Sequence, residues 1–310
     1  MKAPIALFAY RRADHLSRTL DALEACEGFA DHDLHIYSDG PKNAAAVADV
    51  EAVRELLGFR KRPNMTVVAQ EANRGLANSI ISAVTALTDQ YGSVIVVEDD
   101  LLLQPSALLW FQGALEKYSS SEQVMHVGGY QYSVPEFESQ RSGSFQRFTT
   151  SWGWATWKRA WKHFDAQATG WEELDSDPLL ERSFNAGGTF PFADMLRKQM
   201  RGGLDSWAIR WWWSVFKADG LAVMPPKSLV TNIGFDSSAT HNSVGSAKAL
   251  LSGPRPAVWD KPGPPDLPGA VELVPFAEQA FRRGLLRTNA MRNHKIKKGL
   301  AALGMRRFQT

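Results

Sequence analysis

The sequence of 310 residues contains one cysteine, Cys26, and has no long hydrophobic run. A single cysteine excludes an internal disulfide framework and any zinc or iron–sulfur site built from several cysteines. Apolar runs such as 101–103 and 108–111 are far too short to cross a membrane. The N-terminus enters strand-like sequence without the apolar core or cleavage site of a signal peptide. These absences predict a protein of a reducing, cytoplasmic compartment.

Acidic residues are absent after Glu278, although nine basic residues follow it. Without those nine, the chain has 26 Lys and Arg against 33 Asp and Glu. The net charge of +2 is therefore the sum of about −7 on the body and about +9 on the tail. Because apolar residues accompany these charges, we predict a basic amphipathic tail at 279–310 that contacts an anionic membrane. The alternative is a solvated terminus. Nucleic-acid binding is not expected, because no recognisable nucleic-acid module is present.

Short apolar runs alternate with helical periodicity through the first hundred residues. This pattern predicts strands at 5–10, 34–38, 65–69 and 94–97, each separated from the next by an amphipathic helix. Repeated strand–helix units indicate a parallel sheet between layers of helices. In such sheets ligands bind beyond the carboxyl ends of the strands, so the residues there are the candidates for chemistry.

The second half of the chain has a different composition. Further strands are predicted at 124–130 and 145–150, and nine of the 11 tryptophans lie between Trp152 and Trp213. Proline and glycine dominate 252–275, as in an extended surface segment. We therefore predict an α/β body with an appended Trp-rich lobe, an extended segment at 251–278 and the basic tail.

Charged residues follow the first and fourth predicted strands. Glu98, Asp99 and Asp100 are three consecutive carboxylates, which are costly to crowd together unless they are solvated or bind a cation. Mg²⁺ and Mn²⁺ use one or two carboxylates together with substrate phosphates. The alternative is an acidic loop that starts the next helix. After the first strand, Tyr10, Arg11 and Arg12 are a flat aromatic and two cations that could contact a base and a diphosphate.

The second and third predicted strands end in weaker signals. Asp39 follows the second strand and is either a ligand or a plain turn aspartate. Arg74 stands in Asn-Arg-Gly-Leu after the third strand, at the start of a helix whose N-terminus favours an anion. By itself Arg74 would be an ordinary surface residue.

Four segments together resemble GT-A-fold glycosyltransferases. They are residues 7–12, 37–42, 73–76 and 97–101, and the resemblance covers about 3–245. The chain is similar to bacterial family-2-type sugar transferases, and its Glu-Asp-Asp-Leu resembles that of the Golgi enzyme that adds N-acetylglucosamine to mannose. The resemblance implies a GT-A-type parallel or mixed α/β sheet, with a nucleotide-sugar half at 1–120 and an acceptor-binding, catalytic half at 121–250.

The resemblance also implies roles for individual residues. Asp100 would hold Mn²⁺ or Mg²⁺, with His241 as an additional ligand of the metal or diphosphate. The other carboxylates and cations would bind a UDP- or GDP-linked sugar. These donor-site residues are Asp99 at the ribose, Glu98 at the sugar, Asp39 at the base, and Tyr10, Arg11 and Arg74.

Tryptophans at 152–157 resemble the Trp-Gly-Trp segment beside the sugar site of such transferases. Aromatic faces suit the C–H faces of sugars, so Trp152 and Trp154 are candidate acceptor contacts, and Gly153 would permit a close approach. The alternative is core packing, because Trp154, Trp157 and Trp161 recur at helical spacing.

Asp205 precedes an apolar helix predicted to run to about residue 218. One interpretation is a helix N-cap. The resemblance implies a general base that takes the proton of the acceptor hydroxyl in an inverting transfer. Asp194 and Asp165 are weaker candidates for that role.

The function implied is metal-dependent transfer of a hexosyl or N-acetylhexosaminyl group to a glycan or lipid-linked acceptor in bacterial glycan synthesis, at the inner face of the membrane. A sugar nucleotidyltransferase is less favoured, because Ala9–Ala13 lacks the Gly-rich loop of that class. A dehydrogenase would need Gly-x-Gly-x-x-Gly after the first strand. A non-catalytic carbohydrate-binding protein on the same fold is the remaining alternative.

Overall fold

The computed structural model describes residues 2–234 and 257–302. Its strands are β1 (Ile5–Ala9), β2 (Leu34–Ser38), β3 (Met65–Ala69), β4 (Ser93–Glu98), β5 (Leu101–Leu103), β6 (Val124–Gly128), β7 (Ser144–Gln146), β8 (Trp154–Trp157), β9 (Leu221–Met224) and β10 (Val230–Asn232). Its α-helices are α1 (Ala13–Glu24), α2 (Val47–Phe59), α3 (Leu76–Tyr91), α4 (Ala107–Lys117), α5 (Lys158–Trp161), α6 (Glu173–Ser176), α7 (Pro178–Phe184), α8 (Phe192–Met200), α9 (Trp207–Lys217) and α10 (Pro275–Ala302).

Eight of the strands form one sheet in the order β3-β2-β1-β4-β8-β6-β9-β7. The first four are parallel to one another. Beyond them, β8 runs antiparallel to both β4 and β6, and β7 runs antiparallel to β9. The predicted α/β class with a parallel or mixed sheet is therefore confirmed. Outside this sheet, β5 and β10 form an antiparallel pair.

The parallel half of the sheet lies where the sequence pattern predicted it. β2 and β3 have the predicted bounds, β1 ends one residue earlier, and β4 extends one residue further at each end. β1 is buried throughout, as expected for a strand covered on both faces. β3 is the edge strand, so Val67 stays partly exposed. In the other half, β6 and β7 are shorter than predicted.

The tryptophans after Gly153 adopt a different structure from the one their spacing indicated. Residues 154–157 form β8, a central strand of the sheet, so the helical spacing is wrong for them. The packing interpretation is confirmed, because Trp154 and Trp157 are both buried. The ring of Trp154 stacks on that of Trp207, with 4.8 Å between centroids. A strand buried on both faces places large side chains in the core at every position, which hides any period-2 signal.

The appended part of the molecule is a cluster of helices, α6 to α9, that carries four of the tryptophans of the segment, all of them on α9. α9 buries Trp207, Trp211, Trp212 and Trp213, and contacts both α8 and α3. Its contact with α3 places the start of α9 near the carboxyl ends of the parallel strands.

The chain then crosses the body before its last helix. In this crossing the Tyr118 hydroxyl donates to the Pro268 carbonyl at 2.6 Å. α10 buries Phe281 and Leu285 against the body, and Arg287 pairs with Glu136 at 2.9 Å. Within the described part of the chain, α10 included, we find no helix with the length and apolar content that a membrane span requires.

Candidate active site

Arg12 joins the ends of β1 and β4. One guanidinium nitrogen, Nη2, donates to Oδ1 of Asp99 at 2.6 Å and to Oδ2 of Asp100 at 2.8 Å. The second oxygen of Asp99 accepts from the Tyr10 peptide N–H at 3.2 Å. Burial raises the pKa of Asp99, and the Arg12 charge opposes that rise. From the sequence alone Arg12 was, with Arg11, a cation able to meet a diphosphate; its contacts make it the cation of the acidic motif.

The segment after β10 covers Asp100 from the other side. The Ile233 N–H donates to the Asp100 carbonyl at 2.9 Å, and Nδ2 of Asn232 lies 3.5 Å from Oδ1 of Asp100. Gly234 approaches so closely that a Cβ atom on it would stand 2.0 Å from Oδ2 of Asp100. Glycine is therefore the residue type that fits here. The sequence left Asn232 without a role, because 132 residues separate it from Asp100.

The Asp39 carboxylate binds the protein's own loops, and not a nucleotide base as predicted. Its Oδ1 accepts from the N–H groups of Gly40 and Arg74, at 2.9 and 2.8 Å. Its Oδ2 accepts from the Asn73 amide and the Gly75 N–H, both at 3.0 Å. A carboxylate has about four acceptor positions, so four donors saturate it. Asp39 therefore clamps the loop that begins α3, and we do not retain it as a base contact.

The other predicted donor-site residues lie around these two centres. The Tyr10 hydroxyl accepts from the Lys42 N–H at 3.1 Å, which ties the end of β1 to the loop after β2. Arg11 and Glu98 are half-buried, whereas the Arg74 side chain is exposed although its backbone is held by Asp39. The structure thus brings the ends of all four parallel strands together.

Asp205 lies beside the loop that Asp39 clamps. Its Oδ2 is 3.6 Å from the point where a Cβ atom on Gly75 would stand, and its Oδ1 is 3.6 Å from Nη2 of Arg210. Its side chain is 62% exposed, which leaves it accessible to a ligand. The cap interpretation is wrong, because the N-cap of α9 is Ser206, whose hydroxyl accepts from the Ile209 N–H. Asp165 instead accepts from the N–H groups of Gln167 and Thr169 and so organises its own turn.

The two candidate acceptor tryptophans have different surroundings. Trp154 has no exposed surface, so it packs in the core and we do not retain it as an acceptor contact. Trp152 is half-buried against Tyr130, with 4.6 Å between ring centroids, and remains a candidate. Gly153 makes its close approach to Val230 of β10 and not to open space, since a Cβ atom there would stand 2.8 Å from Cγ1 of Val230.

Of the two carboxylates that Arg12 contacts, Asp100 is the one with an oxygen open to a divalent cation. Both oxygens of Asp99 are bound by Arg12 and Tyr10, whereas Oδ1 of Asp100 has only the long 3.5 Å contact with Asn232 among those described here. Within 2–234 and 257–302, no three His, Cys, Asp or Glu side chains cluster as metal ligands. An ion at Asp100 would therefore complete its shell with phosphate oxygens, as Mg²⁺ commonly does. His241 lies outside the described residues.

A groove of about 960 Å³ lies at the other end of the parallel strands, lined by Phe29, Phe59 and Arg62 among others. Its lining residues come from the ends of α1 and α2 and from the segments that lead into β2 and β3. Because ligands of parallel sheets bind at the carboxyl ends of the strands, this groove is not the candidate active site.

The sheet order and the charges at the strand ends agree with the expectation from the sequence motifs. Four parallel strands are followed by an antiparallel one, and the acidic motif stands at the end of β4. The chain has a GT-A-type fold.

No protein-family model matches the chain, and no curated protein does. Among solved structures, S. aureus TarS is similar over 42% of this chain and 22% of its own, at 12% identity and a TM-score of 0.31. GalNAc-T7 with UDP, GalNAc and Mn²⁺ matches over 73% and 42%, at 7% identity and a TM-score of 0.42. This chain thus spans well under two thirds of either protein.

The mannosyltransferase PcManGT from Pyrobaculum calidifontis, in complex with GDP-Man and Mn²⁺, matches over a larger part of both chains. The match covers 94% of this chain and 88% of that one, at 12% identity and a TM-score of 0.39. At these identities and TM-scores we infer nothing about chemistry from the three likenesses. The chemistry has to follow from the residues at the carboxyl ends of β1 and β4.

Proposed function

We propose that this protein is a glycosyltransferase that moves a sugar from a nucleoside-diphosphate sugar to an acceptor hydroxyl. One observation supports this above the others: Arg12, Asp99 and Asp100 meet at the carboxyl ends of β1 and β4. A cation and two carboxylates at this edge can bind the ribose and diphosphate of a nucleotide, with Asp100 presented to a divalent ion. A carbohydrate-binding protein would not need this charged arrangement.

We assign the ion, Mn²⁺ or Mg²⁺, to Asp100. When bound, it would stabilise the negative charge that develops on the leaving nucleoside diphosphate. Asp99 orients Arg12 and is the proposed contact of the ribose, and the other proposed contacts of the donor are Glu98, Tyr10, Arg11 and Arg74. The proposed donor is a UDP- or GDP-linked sugar, and His241 is a further candidate ligand of the ion or the diphosphate.

Asp205 is the proposed general base, and Trp152 the proposed acceptor platform. A base opposite the leaving diphosphate takes the hydroxyl proton as the acceptor oxygen bonds to the anomeric carbon and the bond from that carbon to the diphosphate oxygen breaks; this single displacement inverts the anomeric carbon. The group transferred would be a hexosyl or N-acetylhexosaminyl unit, and the acceptor a glycan or lipid-linked glycan.

A donor screen tests this proposal directly. Purified protein with Mn²⁺ is offered UDP- and GDP-sugars, first by thermal shift and then by assay of released nucleoside diphosphate with glycan acceptors. Stabilisation by one donor class together with diphosphate release supports a transferase. Binding without release would favour the carbohydrate-binding alternative, and release of pyrophosphate from a nucleoside triphosphate and a sugar phosphate would favour a nucleotidyltransferase.

We further propose that α10 contacts the anionic inner face of a bacterial membrane, where lipid-linked acceptors reside. Support comes from the absence of acidic residues after Glu278 and from the exposed side chains of Phe276 and Leu286 on this helix. Phe281 and Leu285 already pack on the body, so a deletion after residue 280 would expose core surface. Charge reversal further along the helix is the cleaner test.

We expect the triple substitution Lys295→Glu, Lys297→Glu and Lys298→Glu to release the protein from phosphatidylglycerol-containing vesicles. Each basic residue near such a surface contributes about 1 kcal/mol, so partitioning should fall by about 10²-fold or more. Sedimentation with vesicles at low salt measures it. The matched control reverses three exposed lysines elsewhere, Lys61, Lys162 and Lys198. Equal sedimentation of the two triple variants would contradict membrane docking by α10.

A further inference from the structure

Arg12 holds a position that a divalent ion would need. Its Nη2 lies between Asp99 and Asp100, at 2.6 and 2.8 Å from their oxygens, and the side chains of all three residues are at most 13% exposed. A guanidinium and a divalent cation beside the same carboxylate repel each other, strongly so where water is scarce. Gly234 closes the site further, because a Cβ atom on it would stand 2.8 Å from Nη1 of Arg12.

We propose that Arg12 is the resident counter-cation of the acidic motif, which the divalent ion must displace from Asp100, and that Arg12 then pairs with the diphosphate of the donor. This inference rests on the proposed function. Binding of the ion and binding of the nucleotide then depend on each other, because neither the displacement of Arg12 from Asp100 nor its pairing with the diphosphate is favourable alone. Arginine suits both positions, since its planar fork binds carboxylates and phosphates alike.

The two binding partners should respond to Arg12 in opposite directions. Without the Arg12 charge, Asp100 is open to the ion, and we expect Mn²⁺ alone to bind Arg12→Gln at least about tenfold more tightly than the wild type. The same variant lacks the cation that meets the diphosphate. Its affinity for a nucleoside diphosphate in saturating Mn²⁺, where the wild-type Arg12 has left Asp100, should therefore fall by about tenfold. A residue that merely supported the fold would weaken both affinities together.

Calorimetric titration with Mn²⁺ alone, and with UDP or GDP in saturating Mn²⁺, measures both affinities. Arg18→Gln on α1 makes the same change of charge at an exposed position and is the matched control. Adding Asp100→Asn to Arg12→Gln should remove the gained Mn²⁺ affinity, which shows that the ion is bound at this carboxylate.

Removal of Arg12 alone leaves Asp99 as a buried unpaired charge, which could prevent folding. The double variant Arg12→Gln, Asp99→Asn replaces both partners by neutral amides and keeps Asp100 free, so it provides the same Mn²⁺ test. Mn²⁺ affinity within twofold of the wild type in both variants would overturn the inference while leaving the glycosyltransferase proposal standing. If no variant bound Mn²⁺ with or without nucleotide, the metal site itself would be refuted, and the inference with it.

Discussion

Replacing Asp205 by asparagine is expected to lower the rate of sugar transfer by about 10²–10⁴-fold, the usual contribution of a general base. The amide has nearly the shape of the carboxylate but cannot take a proton from the acceptor hydroxyl. Asp205 belongs to neither the Arg12 centre nor the Asp39 clamp, so donor binding should stay within about twofold of the wild type. The loss should therefore appear in kcat.

The position of Asp205 is the reason for this expectation. It precedes the cap residue of α9, Ser206, so its carboxylate is not needed to begin the helix. It stands next to the Gly75 backbone, at the same sheet edge as the acidic motif, and most of its side chain is exposed. Its contact with Arg210, at 3.6 Å, orients the carboxylate without burying it.

Asp266→Asn is the matched control. Asp266 is 61% exposed, against 62% for Asp205, and it also has an arginine partner, Arg141, at 3.5 Å. Rates of nucleoside diphosphate release with acceptor, together with donor affinity by calorimetry, compare the two variants. Full turnover in Asp205→Asn, or an equal loss in Asp266→Asn, would remove Asp205 from the role of base.

The second large effect concerns stability in acid, which we expect to fall steeply because of His126. This side chain lies in β6 with no exposed surface, and burial lowers the pKa of His126 from 6.5 to about 3. Both ring nitrogens face N–H donors: Nδ1 is 3.2 Å from the Trp211 indole nitrogen, and Nε2 is 3.4 Å from the Thr150 peptide nitrogen. A neutral imidazole accepts at one of these nitrogens, whereas an imidazolium accepts at neither and places an N–H against both donors.

The direction of the effect follows from the two pKa values. Between pH 6.5 and about 3 the unfolded chain carries a proton on His126 that the folded chain does not carry. The free energy of unfolding therefore has its full value above pH 6.5 and falls with decreasing pH by up to about 1.4 kcal/mol per pH unit. Burial also lowers the pKa of His32, which adds to the slope in the same direction.

Urea unfolding at a series of pH values between 7 and 4 measures this slope. His126→Gln keeps an acceptor for the Trp211 N–H and cannot be protonated, so its stability should decline less steeply below pH 6.5 than that of the wild type. The exposed His163→Gln is the control for loss of a histidine. Parallel curves for the wild type and His126→Gln would show that His126 does not govern acid stability.

The sequence by itself determined the parallel half of the fold and most of the charged residues at its edge. Short apolar and β-branched runs between amphipathic helices have a clear signature, which is why the bounds of β2 and β3 were predicted correctly although neither strand is buried throughout. Parallel strands end at one edge, so residues after four separate strands had to be neighbours. Asp39, Asp99 and Asp100 are found there for that reason.

The tertiary structure alone decided what each of those residues touches. Hydrogen-bond partners such as Arg12 for Asp99, or Asn73 for Asp39, are set by distances of a few ångströms that periodicity does not contain. Contacts across long stretches of chain, such as that of Asn232 with Asp100, depend on how β10 pairs with β5. The burial of Trp154 was likewise decided by the tertiary structure. A strand buried on both faces is apolar at every position, so the sequence does not distinguish a core side chain from one that faces a ligand. The sequence could therefore locate the site, and only packing showed which side chains are already occupied and which remain open to a ligand.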